Sequence, residues 1–243
     1  MGCSVASRFV ESFEEREDPV AEIEKRTAGD VLVIKLSRPE AGNTLNLQTQ
    51  RALQEIWREF ESSDQHQIAV VHGTADVFSI GHDVKELMEG ASPIPLEGSL
   101  PLGLSKPVIA AVEGPCYGLG FELALSCDLR VASDDALFGL PDLNLQVPYR
   151  VASVMLPRMT FIGSSLSTIF GGEVLDAARA RSLRIVNEVV AAGEAESSSV
   201  KLAAEMVKRI GGAEAFRKPE IYRLSGVPLP YAMSLASQAE RLA

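Results

Sequence analysis

The 243-residue chain has no run of basic residues, no apolar run long enough to span a bilayer, and only three cysteines and three histidines. The missing apolar run excludes a membrane-spanning helix, which needs about 20 consecutive apolar residues. The missing basic run, with a formal net charge of −10 whose acidic excess is heaviest near the N-terminus, argues against nucleic acid and anionic membrane as partners. Cys3, Cys116 and Cys127 follow neither disulfide-framework nor metal-ligand spacing, and three free thiols suit a reducing, cytoplasmic setting. His66 and His72 offer no ligand spacing with His82, so no metal site is expected, and His82 reads as a surface or packing residue. Met1-Gly2-Cys3 invites a lipidation reading, but Ala6 stands where the myristoylation pattern needs Ser or Thr. The acidic Glu11 to Asp18 speaks against a transit peptide. No repeat of solenoid period is found.

What is present is ordinary globular composition, 46% hydrophobic and 23% charged, ample for one α/β domain with a helical appendage. The chain is organised around Pro107 to Asp128. Val108 to Val112 suits a buried strand, Gly114-Pro115 breaks it, and Gly118 and Gly120 bracket Leu119 before a helical pattern through Phe121, Leu123, Ala124 and Leu125. A strand feeding a glycine turn into a helix leaves unpaired N–H groups at the helix start, a site for a negatively charged oxygen. Removing Cβ at 118 and 120 lets a ligand approach that backbone. Glu122 follows in an apolar run. It reads either as a first-turn glutamate complementing the helix dipole or as an acid/base residue in a dry pocket.

Residues 1 to 19 are charge-rich and aperiodic and read as a tail. Ala21, Ile23 and Lys25 alternate with charged residues, Ala28-Gly29-Asp30 turns the chain, and Val31 to Leu36 returns, which predicts a hairpin. Asn46 is an N-cap for a helix with Leu47, Leu53, Ile56, Trp57 and Phe60 on its apolar face. Ile68 to Val71 is a central strand. Val77 to Leu87 reads as a second strand-turn-helix unit with Gly81 before its helix, and its Lys85 either reaches a phosphate or is simply solvated. Residues 89 to 105, rich in Pro, Gly and Ser, read as a mobile loop, either a lid or a linker. Leu129 to Ala132 is a further strand, and Asp142 lies in an apolar setting after Phe138-Gly139-Leu140-Pro141. From Tyr149 the chain is mostly helical, over Val151 to Leu156, Ser164 to Phe170, Asp176 to Ser182, Ser198 to Ile210 and Tyr231 to Leu242, with a strand at Ile185 to Val190.

Two segments carry a family resemblance. Phe78-Ser79-Ile80-Gly81-His82-Asp83-Val84-Lys85-Glu86-Leu87 resembles the first signature of the crotonase (enoyl-CoA hydratase/isomerase) superfamily. Gly114-Pro115-Cys116-Tyr117-Gly118-Leu119-Gly120-Phe121-Glu122-Leu123-Ala124, continued by Cys127-Asp128, is similar to the second. Arg38-Pro39 through Asn46, Phe138 to Asp142, and Gly172-Glu173 with Asp176 to Ala180 and Leu183 to Asn187 support it, so that the likeness spans about residues 20 to 243.

The resemblance implies an α/β fold, a spiral of ββα units over 20–165 after the acidic tail 1–19, then a C-terminal helical region over 166–243 that forms trimers or hexamers. It implies an acyl-CoA thioester as substrate, coenzyme A entering only as part of it, with no permanently bound cofactor. The backbone N–H groups of His82 and Leu119 would hold the thioester oxygen as it becomes an enolate, donors of a kind that contribute ~10²–10³ in rate apiece. His82, Asp83, Val84, Lys85, Gly118 and Leu119 would contact the CoA thioester. Glu122 and Asp142 match the two carboxylates with which the family's hydratases deliver water. Asp142 is a methylene shorter than the family's glutamate, and a shift of about 1 Å can cost ~10²-fold. Gln146 to Arg150 also replaces the glycine-rich continuation of common hydratases, and the 89–105 segment is short. Hydratase or isomerase chemistry is thus the leading expectation. Decarboxylation, C–C cleavage or thioester hydrolysis on the same hole is the second, and a non-catalytic scaffold the third.

Overall fold

The computed structural model describes residues 22–90, 96–141, 148–210, 218–228 and 231–233. The N-terminal tail with Ala21, the segment carrying Asp142, and the end of the last predicted helix lie outside them.

In chain order the first elements are β1 (Ile23–Ala28), β2 (Val31–Leu36), α1 (Leu47–Ser62), β3 (Ile68–His72), α2 (Val84–Met88) and α3 (Leu96–Ser99). The middle of the chain forms β4 (Val108–Val112), β5 (Pro115–Tyr117), α4 (Leu119–Ser126), β6 (Leu129–Ser133) and β7 (Leu137–Gly139). There follow α5 (Arg150–Met159), α6 (Ile162–Gly171), β8 (Leu175–Asp176), α7 (Ala177–Ser182), β9 (Glu188–Val190), α8 (Ala195–Ile210) and α9 (Lys218–Ser225).

The hairpin forms as expected, with β1 and β2 antiparallel. All other pairs of the six-stranded sheet β1-β2-β3-β4-β6-β9 are parallel, and β5, β7 and β8 make a smaller second sheet. The inner strands are apolar on both faces because both faces are covered. Leu32, Ile34, Ala69, Val71, Val108, Ala110 and Val112 face the main core with α1 and α4. Val31, Val33, Ile68, Val70, Ile109 and Ala111 face Ala195 and Ala203 of α8. This period-two alternation lets a strand with no polar residue serve two layers. Asn46 caps α1, its side chain accepting the Thr49 N–H at 2.6 Å.

Four expected elements differ. Val77 to Phe78 forms no regular strand. The chain there makes only isolated bridges, Ser79 to Cys116 and Leu45 to His82, because it passes between two neighbours and turns at Gly81 with φ +105°. Within 89–105 stands the one-turn helix α3, anchored where Trp57 Nε1 donates to the Ser99 carbonyl at 3.1 Å; residues 91–95 are outside the described ones. The strand expected over Ile185 to Val190 shortens to β9, since the Ile185 and Val186 N–H groups turn back to the Ala180 carbonyl. Helix α8 starts earlier than its periodicity suggests. The buried Glu113 carboxylate accepts the Gly193 and Ala195 N–H groups at 3.0 and 2.8 Å and so caps it.

Candidate active site

Helix α4 is buried along all eight of its residues, so its charged member cannot be a solvated face. Its C-terminal end is closed by the buried Arg130 guanidinium, which donates to the Ala124 and Cys127 carbonyls at 3.1 and 2.6 Å. Its N-terminus is open. Gly118 occupies the N-cap with φ 52° and no capping side chain. The Leu119 N–H, in the unpaired first turn of the helix, meets no acceptor among the described residues.

The loop before α2 comes up against this turn. Tyr117 N donates to Ser79 O at 2.8 Å and Ser79 N to Pro115 O at 3.2 Å, so the two loops are stitched by backbone. A Cβ on Gly120 would stand 2.6 Å from Ser79 O, so only glycine lets the loops close. Gly81 also lies close, its missing Cβ 3.1 Å from Tyr117 O and 3.2 Å from Leu119 N. The next residue is His82, whose N–H likewise has no acceptor among the described residues. The structure therefore brings His82, Gly118, Leu119 and Glu122 together, as the sequence predicts.

The first loop is held from behind. Leu45 N donates to Gly81 O at 2.7 Å. Arg38 pairs with Glu22 at 3.3 Å and with Asp83 at 3.4 Å, and donates to the Thr44 carbonyl at 2.9 Å. Asp83 caps α2 by accepting the Lys85 N–H at 3.1 Å, while Glu86 accepts Leu47 N at 2.8 Å. Asp83 is thereby committed to structure. Val84 and Lys85 are exposed, and the Lys85 ammonium has no partner among the described residues.

Glu122 is 1% exposed. Its Oε1 accepts two backbone N–H groups from the first turn of α5, Val151 at 2.8 Å and Ala152 at 3.1 Å. Its Oε2 has no partner among the described residues. Burial pushes the carboxyl above its ordinary value of 4.5, and the two backbone donors and Arg150 oppose without cancelling it. Leu119 and Glu122 lie one turn apart on α4, and side chains tilt toward a helix N-terminus, so the carboxyl leans back toward the open amides.

The two described thiols are not nucleophile candidates. Burial raises Cys116 well above its ordinary range and pushes Cys127 up to about 12. Among the described residues no group of His, Cys, Asp or Glu is arranged to hold a metal, and no helix is long and apolar enough to cross a membrane. The sequence reading did not anticipate the amides of Val151 and Ala152 or the Arg38–Glu22–Asp83 pairing. Backbone donors leave no residue-type signal, and the pairing joins positions far apart in the chain.

Residues 26–223 match the family profile described as enoyl-CoA hydratase/isomerase. A mevalonyl-coenzyme A hydratase of Aspergillus fumigatus is 30% identical over 221 residues, which span 86% of this chain and 78% of that protein. A carnitinyl-CoA dehydratase of Escherichia coli is 34% identical over 204 residues, 80% of this chain and 77% of that one. A solved enoyl-CoA hydratase subunit from Geobacillus kaustophilus superposes with a TM-score of 0.81 at 31% identity, covering 91% of this chain and 89% of its own.

Proposed function

The chain belongs to the enoyl-CoA hydratase/isomerase family, and from that premise we propose that it is an acyl-CoA enzyme that stabilises a thioester enolate between the N–H groups of His82 and Leu119. The observation that carries the reading is the meeting, on abutting glycine turns, of two N–H groups without an acceptor among the described residues, one helical turn from a buried carboxyl with one oxygen unpartnered among them. Preorganised donors of this kind favour the transition state because they are already aimed where negative charge develops.

In the hydratase form, a carboxylate takes a proton from water as the water oxygen bonds to the β-carbon. The electron pair of the double bond moves onto the thioester oxygen, and the α-carbon then receives a proton as the carbonyl re-forms. Glu122 is suited to this acid/base work. Its Oε1 is fixed by α5, its Oε2 has no partner among the described residues, and its raised pKa brings both protonation states nearer neutrality. Asp142 is the second carboxylate. In the isomerase form Glu122 alone would move a proton between carbons. Lys85, exposed and without a partner among the described residues, would meet a CoA phosphate. The apolar surface left on α6 fits assembly into a homotrimer or hexamer.

A second reading keeps the same hole for decarboxylation, C–C cleavage or thioester hydrolysis. It draws on Asp142, whose shorter arm weakens a two-carboxylate mechanism. The deciding experiment incubates the protein with a panel of acyl-CoA thioesters and follows products by mass spectrometry. A mass gain of water indicates hydration, an unchanged mass with a moved double bond isomerisation, and loss of carbon dioxide decarboxylation. Binding without consumption of any thioester would leave the scaffold reading, and no binding would refute the site.

A further inference from the structure

Along the second half of α1 runs a mainly apolar groove of about 440 Å³, walled by the helix on one side and by Leu100, Leu102 and Leu104 on the other. Trp57 and Leu100 supply its buried lining, while Leu102 is 41% exposed. An open apolar groove of this size marks a contact surface. Beside it, Arg51 and Arg58 are exposed two turns apart on the crest of α1, and neither has an ion-pair partner among the described residues. Of the nearby carboxylates, Glu59 is paired with Lys25 at 2.9 Å and Glu61 accepts the Ser105 N–H at 2.9 Å. Glu55 alone shares the crest, so the two arginines leave it positive on a chain whose formal net charge is −10. The groove thus suits an occupant with an apolar part and an acidic part.

We propose that this groove is the docking site of the chain's own N-terminal segment, with Phe9, Val10 and Phe13 entering it and the carboxylates of residues 14–18 lying across Arg51 and Arg58. Phe9 and Phe13 are the only aromatic residues before Glu22, and Glu14, Glu15, Glu17 and Asp18 outweigh Arg16 in the stretch that follows them. The segment has the reach. Glu22 is pinned beside the first turn of α1, where it accepts from Thr49 Oγ1 at 2.6 Å and Asn46 Nδ2 at 2.9 Å. From Thr49 to Trp57 is about 12 Å along the helix, whereas the chain from Glu22 back to Phe13 can span about 30 Å. Glu22 and Ile23 lie on the side of α1 that carries Gln48, Ala52 and Glu59, so a segment running from there to the groove crosses the arginine crest. Tethering also keeps it near the groove at an effective concentration of roughly millimolar order, ahead of any dilute partner.

The test is limited digestion of the full chain with chymotrypsin, which cuts after aromatic residues, following the bonds after Phe9 and Phe13 by mass spectrometry. Cleavage of a docked segment tracks its undocked population. Both bonds should be cut at least about tenfold more slowly in the full chain than in a synthetic peptide of residues 1–18, at a rate that does not change with protein concentration. Leu102→Asp sets a carboxylate in the groove and should bring the rate to within about twofold of the peptide's. Arg51→Glu combined with Arg58→Glu turns attraction into repulsion and should speed cleavage at least about threefold.

Cleavage at the peptide's rate in the unmodified chain would overturn the inference without any variant. Protection that survives intact in either folded variant would overturn it too, since the segment would then be seated elsewhere. Protection that fades on dilution would give the groove to a second copy of the chain and so oppose it. If Leu102→Asp fails to fold by circular dichroism, the arginine variant decides alone, because both of its positions are exposed. All of these outcomes leave the acyl-CoA reading standing, which the thioester panel tests by itself.

Discussion

Oε1 of Glu122 accepts the Val151 N–H at 2.8 Å across 29 positions of sequence, joining the middle of one buried helix to the first turn of another. With the Ala152 N–H it forms a two-donor seat that fixes one oxygen of the carboxyl, while the other has no partner among the described residues. A carboxylate at a helix N-terminus is stabilised by the dipole and the orphan amides. Here the helix positions the carboxyl and the carboxyl caps the helix.

Glu122→Gln keeps an acceptor for the two amides and removes the titrating oxygen. It should fold and lose about 10²–10⁴ in turnover, the range for a general acid/base. Glu122→Ala orphans both N–H groups and should be destabilised by about 1–3 kcal/mol besides. In the hydration mechanism Asp142→Asn should also be severely impaired and the double variant little worse, because the pair acts as a unit. We expect a smaller loss at Asp142. Full activity of folded Glu122→Gln on an identified substrate would refute the site.

The pH dependence has a definite sign. The folded carboxyl titrates above its ordinary value of 4.5, so the folded state holds the proton more tightly than the unfolded chain. The stability this contributes is fully present below 4.5 and is lost as pH rises through the folded pKa. Thermal melts across that window should therefore fall with pH more steeply for the natural chain than for Glu122→Gln. If Glu122 acts as base, the acid limb of kcat/KM should lie above the usual carboxylate range. A limb near 4.5 would show that it does not control the rate.

Gly120→Ala places a methyl 2.6 Å from Ser79 O, which belongs to the opposing loop's backbone. Separating the loops should cost about 1–3 kcal/mol in stability. A displacement near 1 Å between the donors should lower turnover by about 10²-fold. Circular dichroism and steady-state kinetics on the same sample test this, and an unimpaired variant would show that the loops need not touch.

Ile162, Leu166 and Phe170 repeat at i, i+4 along one face of α6 and are 62%, 46% and 71% exposed in the single chain. Such a stripe on a folded domain marks a contact surface. Light scattering should give a trimer or hexamer at micromolar protein, and Phe170→Asp should shift it toward smaller species. A clean monomer of the unmodified chain would sink the expectation.

Much was legible from local pattern alone. The alternation of β1 and the turn after it, the cap at Asn46 and the glycine pair around Leu119 are short-range signals, and each predicts its element because the cause lies within a few residues. The abutting of the two loops was implied by their likeness to paired signatures, and the backbone bonds between Ser79, Pro115 and Tyr117 give it its physical form.

What the sequence by itself determined is the type of each part: a buried helix opened by glycine, a carboxyl within it, and a second glycine turn before α2. What only the tertiary structure decided is how those parts are oriented and protonated. The Val151 and Ala152 amides that seat Glu122 and the Arg38 pairing that holds Asp83 both depend on groups distant in sequence. Most of the donors are backbone and look alike in any residue, so no pattern of side chains announces them. The pKa shift of Glu122 follows from the same cause, because burial belongs to the assembled core and to no segment taken alone.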